Sequence, residues 1–396
     1  MDKEANKNKS NNIQIGLAAG SHFIIDIYQG LYIGLIPFLV NKFGLSLFEV
    51  SLLAATSITA NSLFSPIFGY LSDRYKLKYF ITAGLLTSSV FLSIIGIINN
   101  YWIILIFIFL GNLGVAAFHP ANAAMAGHYG GKRKGFSTSL INFGGNAGAA
   151  LGSLLIILIL KKIGISYTPL IIIAGIITVI ILLKFLPSKQ HAAGANLGPR
   201  LITRLKKIKG SKVFLISCLI FSVYSLYIIW VSLVTYMPVY FTELNIDLIT
   251  IGIILFLYGT LAGGGGFVSG FIFDKTKKGS YIIQTAMFFS IPLIYLIFQT
   301  NGFLTIVFFI LSGLFLISIQ PVCIRMSQDL FPQNMSLASS LILGLSSGLA
   351  GITMVFLGKA ADKIGIANLV RLELILLAVS FVLLFAYPIV EKKLKN

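Results

Sequence analysis

Gly69-Tyr70-Leu71-Ser72-Asp73-Arg74-Tyr75-Lys76-Leu77-Lys78 stands between two long apolar runs, and its reading decides the fold. The pattern returns 201 residues later as Gly270-Phe271-Ile272-Phe273-Asp274-Lys275-Thr276-Lys277-Lys278, again between apolar runs. The same offset carries Pro37 to Pro238, Pro120 to Pro321, Met125 to Met326, Gly164 to Gly365 and Pro187 to Pro388. Seven landmarks on one ungapped register make the chain an internal duplication, with a unit far longer than a solenoid repeat.

Composition says what is duplicated. The chain is 57% hydrophobic and 11% charged, against roughly 25% charged in a soluble domain, so its surface faces lipid. Its 396 residues leave room for many spans of about 20 residues. The formal charge of +18 is a matter of membrane sidedness and no sign of a nucleic-acid partner. Cys218 and Cys323 both lie inside apolar runs and read as small apolar fillers without a disulfide.

Residues 1–12 are polar and lack a secretory-signal pattern, so they read as a disordered cytosolic tail. Six apolar runs follow at about 13–40, 47–72, 79–98, 101–129, 134–160 and 167–186. Six more follow the polar linker 187–211, at about 212–241, 247–273, 280–299, 302–326, 334–358 and 366–388. The expected architecture is an all-α membrane protein of twelve transmembrane helices. Its two pseudo-symmetric six-helix bundles would occupy 13–186 and 212–388, with a cytosolic tail at 389–396. Of the 30 lysines and arginines, 24 fall on the side of the termini and 6 on the other. Positive residues mark the cytosolic side, so both termini are expected there, in the cell membrane. The basic run Arg204, Lys206, Lys207 and Lys209 reads as a solvated loop of that side.

Two six-span halves with a basic central loop resemble the major facilitator superfamily. So does Gly-x-Leu-x-Asp-Arg-x-x-x-Lys after the second span, echoed after the eighth. The resemblance implies two bundles rocking about a site near the bilayer midplane, with Gly69, Asp73, Arg74, Lys78, Gly270, Asp274 and Lys275 in the cytosolic gate. The glycines would let another backbone approach closely. A carboxylate suits the unpaired N–H groups of a helix start. Asp73 is therefore expected against the first turn of span 11, and Asp274 against residues 134–136.

The central site should show where the halves differ. Span 1 carries Ser21, His22, Asp26, Tyr28 and Gln29. At +201 His22 becomes Val223, Asp26 becomes Tyr227 and Gln29 becomes Trp230. In span 4, His119-Pro120 becomes Gln320-Pro321; in span 5, Asn142 and Asn146 become Leu343 and Ser347. His22, Asp26 and Gln29 share one helical face by their i, i+4, i+7 spacing. An acid inside a span is a functional candidate by default. His119 lies about 6 Å from the midplane, at the depth of His22. A His–Asp set suits proton handling, and without tight local spacing it is not read as a metal site. Proton coupling is assigned to Asp26, His22 and His119. Substrate contact is assigned to Gln29, Tyr28, Asn142, Asn146, Tyr227, Trp230 and Gln320. Gly144, Gly148 and Gly152, and Gly259, Gly263, Gly266 and Gly270, read as stripes packing one bundle on the other. Arg325 and Asp329 stand i, i+4 as an ion pair.

His-x-x-x-Asp-x-x-Gln in span 1 resembles the fosmidomycin-resistance branch of that superfamily. So do Ser-Pro-x-x-Gly before the Asp–Arg motif, Phe-His-Pro in span 4 and Gly-Gly-Asn-Ala-Gly in span 5. Two positions depart from that pattern: Ala121 stands where an acid often follows His-Pro, and Gly152-Ser153 where the antiporter motif ends in Gly-Pro. The resemblance implies a proton-coupled exporter of small organic, antimicrobial-like molecules. Uptake or exchange of an organic anion or metabolite is the alternative within transport, and a non-transporting receptor is the alternative of another class. No nucleophile–base pair or metal-ligand spacing suggests an enzyme. No cofactor is expected, and the chain is read as a monomer.

Overall fold

A computed structural model describes residues 2–129, 134–187, 210–332, 338–339 and 341–395. The chain is helical almost throughout. The first half holds α1 (Asp2–Phe43), α2 (Leu47–Arg74), α3 (Leu77–Ser93), α4 (Tyr101–Tyr129), α5 (Lys134–Lys162) and α6 (Ile172–Phe185). The second half holds α7 (Ser211–Glu243), α8 (Leu248–Thr276), α9 (Gly279–Ile297), α10 (Phe303–Leu316), α11 (Ile319–Leu330) and α12 (Ser346–Lys395). The starts of α2 and α8 stand 201 residues apart, as the internal register requires. The polar tail departs from expectation: α1 begins at Asp2. Its Lys, Glu and Ala residues are good helix formers, and they extend the span's helix. Most of the linker 187–211 lies outside the described residues.

Eleven helical stretches among the described residues are long and apolar enough to cross a membrane. The last, Leu341–Leu394, has 54 residues and at 1.5 Å per residue would run about 80 Å. A bilayer core is only about 30 Å thick. The helix is broken at Gly365, whose φ of 78° and ψ of 162° are not helical. Glycine reaches such a conformation without a steric penalty. Its counterpart Gly164, at φ 111°, follows the end of α5. Two spans meet at Gly365, and the total is twelve.

The halves differ at their shared proline. α4 runs unbroken through Pro120, whereas α10 and α11 are separated just before Pro321. Pro321 has no N–H for the carbonyl of Ile317. That carbonyl accepts from the Gln320 amide instead, at 3.3 Å. Outward faces are apolar: α6 exposes Ile173, Ile176, Ile177, Ile180 and Leu183 along one stripe. Such a stripe matches a lipid environment.

The chain forms two compact units. The first is Met1–Leu45, Thr56–Gly194 and Phe241–Thr260; the second is Ser46–Ala55, Ala195–Tyr240 and Leu261–Asn396. The division follows the duplication except that the first turns of α2 group with the second unit and the first half of α8 with the first. Within the first unit, α1 and α5 pack backbone to backbone. A Cβ on Gly148 or Gly152 would stand 2.1 Å from the carbonyl oxygen of Phe23 or Ile27. The relation is mutual, since a Cβ on Gly30 would stand 2.1 Å from the Ala149 carbonyl. The small-residue stripe of α5 therefore holds two helices of one unit together, correcting the expectation that it packs one bundle on the other. Gly259 of α8 instead meets Ala150 of α5, where its Cβ would stand 2.9 Å from the alanine Cβ, so at this position the expected packing of one six-helix half on the other is seen. Gly270 has open space around its Cβ position.

Candidate functional site

The α1–α5 crossing sets the site. Asp26 lies close to the middle of the span Asn11–Phe43 and is buried. His22, one turn earlier, places Nε2 3.4 Å from Asp26 Oδ2. His119, beside Pro120 on α4, places Nε2 3.7 Å from Asp26 Oδ1. Each carboxylate oxygen thus has its own imidazole, and the two rings meet edge to face at 4.8 Å. Oδ1 makes no hydrogen bond among the described residues. The fully buried Phe118 ring backs both imidazoles. Opposite them on α5 is Gly145, where a Cβ would stand 2.5 Å from Asp26 Oδ2 and 2.8 Å from His22 Nε2. Only glycine leaves the carboxylate this room. His119 is the most open of the three, its side chain 28% accessible.

This arrangement can hold and pass a proton: a carboxylate and two imidazoles, mostly shielded from water, each within one small rotation of a hydrogen bond. Two imidazoles and a carboxylate are also donors that first-row divalent metals accept. Their ligand atoms lie within 4.8 Å of one another. Ligands bonded to one metal at about 2.0–2.2 Å lie about 3–3.5 Å apart, so the set would have to contract to hold an ion.

Other residues assigned from sequence divide into those beside the site and those engaged elsewhere. Asn142 and Asn146 are exposed on α5, flanking Gly145. Gln29 donates to Asn112 Oδ1 on α4 at 3.2 Å, and Ser57 of α2 donates to the same oxygen at 3.0 Å. Tyr28 is fully buried and donates to the Ile171 carbonyl at 2.9 Å; it ties α1 to the start of α6 and does not face the His–Asp set. Ser153, standing where the resembled motif has proline, donates to the Gly30 carbonyl at 3.0 Å.

In the second unit, Gln320 Nε2 donates to the Tyr227 hydroxyl at 2.9 Å. Tyr227 packs edge to face on Trp230 at 6.1 Å. These are the register counterparts of His119, Asp26 and Gln29. The same backbone positions meet in both halves, with hydrogen-bonding and aromatic groups replacing the acid and its imidazoles.

A family model described as Major Facilitator Superfamily matches residues 18–342. The chain belongs to the Major Facilitator Superfamily. It is 26% identical over 362 residues to the fosmidomycin resistance protein of Escherichia coli K12, covering 89% of this chain and 87% of that one. It is 23% identical to the MFS-type transporter YfnC of Bacillus subtilis 168, covering 94% and 91%. Among solved structures it resembles a bacterial homologue of the human lysosomal transporter Spinster, in an inward-facing, unoccupied conformation. That match has a TM-score of 0.80 at 14% identity, covering 97% of this chain and 98% of that one. Membership of this superfamily makes the protein a multi-pass membrane transporter with a small-molecule substrate.

The superfamily's Gly–Asp–Arg motif has the same local build in both halves. The Arg74 guanidinium lies over the Tyr70 ring at 4.3 Å, and Lys275 Nζ lies over Phe271 at 4.3 Å. Lys78 Nζ donates to the Leu183 carbonyl. Among the described residues Gly69 meets only Pro120, at ordinary contact distance. Neither motif glycine is thus required by a close backbone approach here. The expected contacts of Asp73 with the start of span 11, and of Asp274 with residues 134–136, involve positions outside the described residues or side chains. Asp274 reaches Lys277 at 3.6 Å and Arg325 at 3.9 Å. Arg325 also donates to Gln328 at 3.0 Å, so its ionic partner is Asp274 and not the expected Asp329.

Sequence reasoning missed four supports of the site. Asn112 and Ser57 hold Gln29, Gly145 makes room for Asp26, and buried Asn122 donates to the Ala18 carbonyl across α1 and α4 at 3.2 Å. The two asparagines were legible as polar residues inside an apolar run. It also missed Glu373, an acid inside the span after Gly365 and only 2% exposed.

Proposed function

We propose that the protein is a secondary active transporter of the cell membrane that exports small organic, antimicrobial-like molecules against an inward flow of protons, by alternating access. The observation that carries the reading is the buried Asp26 carboxylate with one imidazole at each oxygen, at 3.4 and 3.7 Å. A carboxylate at this depth is stable with a proton or with a cationic neighbour. His22 and His119 are the groups placed to exchange that proton. The name of the Escherichia coli relative supports an antimicrobial-like cargo, and the excess of positive residues on one side supports cytosolic termini. Two six-helix halves, 13–186 and 212–388, carry the movement. Asn142 and Asn146 on the first, with Tyr227, Trp230 and Gln320 on the second, offer hydrogen bonds and aromatic faces to the cargo. The Gly–Asp–Arg motifs serve the cytosolic gate.

Reconstituted proteoliposomes with an imposed pH gradient test this reading against a compound panel that includes fosmidomycin. Asp26→Asn should abolish gradient-driven flux while leaving counterflow of the same compound. Full gradient-driven flux in that variant refutes the coupling role. Flux driven by an organic-anion gradient with no pH dependence makes the protein an exchanger. Saturable binding with no flux of any kind makes it a receptor.

A further inference from the structure

Glu373 sits in the part of α12 that follows Gly365, about 12 Å into the span from that turn at 1.5 Å per residue. It is 2% exposed. Ser232 of α7 donates to Oε1 at 2.6 Å, and the same hydroxyl lies 3.7 Å from Met354 Sδ. Oε2 has no hydrogen-bond partner among the described residues. One turn along α7 from Ser232 is Tyr236, fully buried, whose hydroxyl also has no hydrogen-bond partner among the described residues.

Ser51 belongs to the first turns of α2, which group with this unit. Those turns are fixed against α12 in two ways. Asp362 accepts the Leu47 and Phe48 amides, at 2.7 and 3.2 Å. Gly358 admits Ser51 so closely that a Cβ there would stand 2.0 Å from its hydroxyl oxygen.

We infer that Glu373 is a second proton-binding site of the transporter, covered by the first turns of α2 and reached from the membrane face that carries Gly365. The inference rests on the proton-coupled reading above. The chemistry favours a proton over a metal or sodium ion, because one carboxylate, one hydroxyl and a thioether are too few hard donors for either cation. A proton on Oε2 gives the oxygen that lacks a partner a hydrogen to donate, and the buried Tyr236 hydroxyl, one turn from Ser232 on α7, also lacks a partner among the described residues. The balance is simple: the O–H bond forms from a proton taken up on one face, and breaks when that proton leaves. The ionisable groups on the elements that pack here are Tyr236 on α7, Asp362 and Arg371 on α12, and Glu49 at the start of α2. Arg371 is directed to the Phe298 carbonyl at 3.2 Å and does not pair with Glu373, and Glu49, itself an acid, accepts from the Ser46 amide at 2.9 Å. On the duplication register Glu373 corresponds to Ile172, so it has no counterpart in the first half.

The test is infrared difference spectroscopy of the full-length protein in lipid, titrated with pH, alongside proteoliposome flux. Among its protonated-carboxyl bands, wild-type protein should show two that single substitutions of buried acids remove. Glu373→Gln should remove one, Asp26→Asn the other, and Ser232→Ala should move the midpoint of the Glu373 band without abolishing it. Glu373→Gln should also reduce the ratio of protons to substrate moved while leaving counterflow intact. Glu373→Asp, which keeps a carboxyl, should restore the band if the Gln variant fails to fold. Loss of the Glu373 band with gradient-driven flux surviving in Asp26→Asn would sink the Asp26 coupling role and leave this site standing. An unchanged spectrum and coupling ratio in folded Glu373→Gln overturns the inference. So does displacement of the band by sodium at constant pH.

Discussion

Gly145→Ala separates the architecture of the site from its chemistry. The added Cβ would stand 2.5 Å from Asp26 Oδ2 and 2.8 Å from His22 Nε2, against carbon contacts of about 3.5–4.0 Å at equilibrium. Both obstructing atoms are side-chain tips, so they can swing away by about 1 Å. An off-rotamer side chain costs about 0.5–1.5 kcal/mol. Alanine in a helix interior recovers about 0.5–1 kcal/mol relative to glycine. The two nearly cancel, and the variant should melt within a few degrees of wild type. Gly148→Ala is the contrast. Its Cβ would stand 2.1 Å from the Phe23 carbonyl oxygen, which is backbone and cannot swing. Overpacking of that kind costs about 1–3 kcal/mol or more, so this variant should be markedly less stable.

If the His–Asp set couples transport, Gly145→Ala should bind cargo yet lose or shift the pH dependence of gradient-driven flux, because the carboxylate and His22 can no longer hold their 3.4 Å separation. Melting in detergent, cargo binding and flux across a pH series read the three effects independently. An unchanged pH profile in a variant that melts normally refutes the reasoning, since it would show that the displaced pair does not carry the proton.

Tyr28→Phe removes one buried hydrogen bond to Ile171 and should lower stability by about 0.5–1.5 kcal/mol, with cargo affinity unchanged in a binding titration. Gln320→Leu breaks the bond to Tyr227 and should weaken cargo binding about tenfold, equivalent to about 1.4 kcal/mol, while the pH profile of flux stays put. Asp362→Ala takes the carboxylate from the start of α2. A charge at a helix N-terminus contributes about 0.3–1 kcal/mol. A cysteine at Ala55, with Cys218 and Cys323 replaced, should therefore become ~2–5-fold more reactive to a membrane-impermeant thiol reagent. Asp247, before α8, is held below the usual carboxylate range, first by the Thr250 hydroxyl and then by backbone amides. A lowered folded value means its stabilisation is present above the ordinary aspartate range and lost as pH falls through the lowered one. Asp247→Asn should thus melt below wild type at neutral pH and converge with it in strong acid.

The fold was legible because membrane spans leave a strong mark and the duplication supplies an internal check. The Gly164–Gly365 correspondence alone divides a continuous 54-residue helical stretch into two spans. His22, Asp26 and His119 were legible from depth and helical spacing. What periodicity could not give is which neighbour a face meets. The α5 glycines are regular in sequence, but only the packing shows that they face α1. Tyr28 is two residues beyond Asp26 on the same helix, and a turn of about 200° directs it to α6. Arg325 had two acids within reach, and a spacing rule for one helix could not weigh Asp274 on another. Glu373 escaped for a different reason. Pairing positions across the two halves draws attention to changed counterparts of known sites, and this acid stands opposite an ordinary isoleucine.

That asymmetry bears on how the two halves divide the work. Backbone positions 26 and 119 meet in the first half, and positions 227 and 320 meet in the second, so the duplicated scaffold brings the same places together twice. What it brings together has changed completely. An acid with two imidazoles has the chemistry to bind and release a proton, whereas a tyrosine and a glutamine offer fixed hydrogen bonds that do not titrate near neutral pH. If protons act on both halves, the second must use a group outside the duplicated site. Glu373 is such a group, and it lies beside the turns of α2 fixed by Asp362 rather than at the counterpart of Asp26. The two acids therefore have different surroundings and no reason to titrate together. One is tied to the α1–α4–α5 packing and the other to the seating of α2. If both acids bind protons as proposed, these separate surroundings allow the two events to fall at different stages of one conformational cycle.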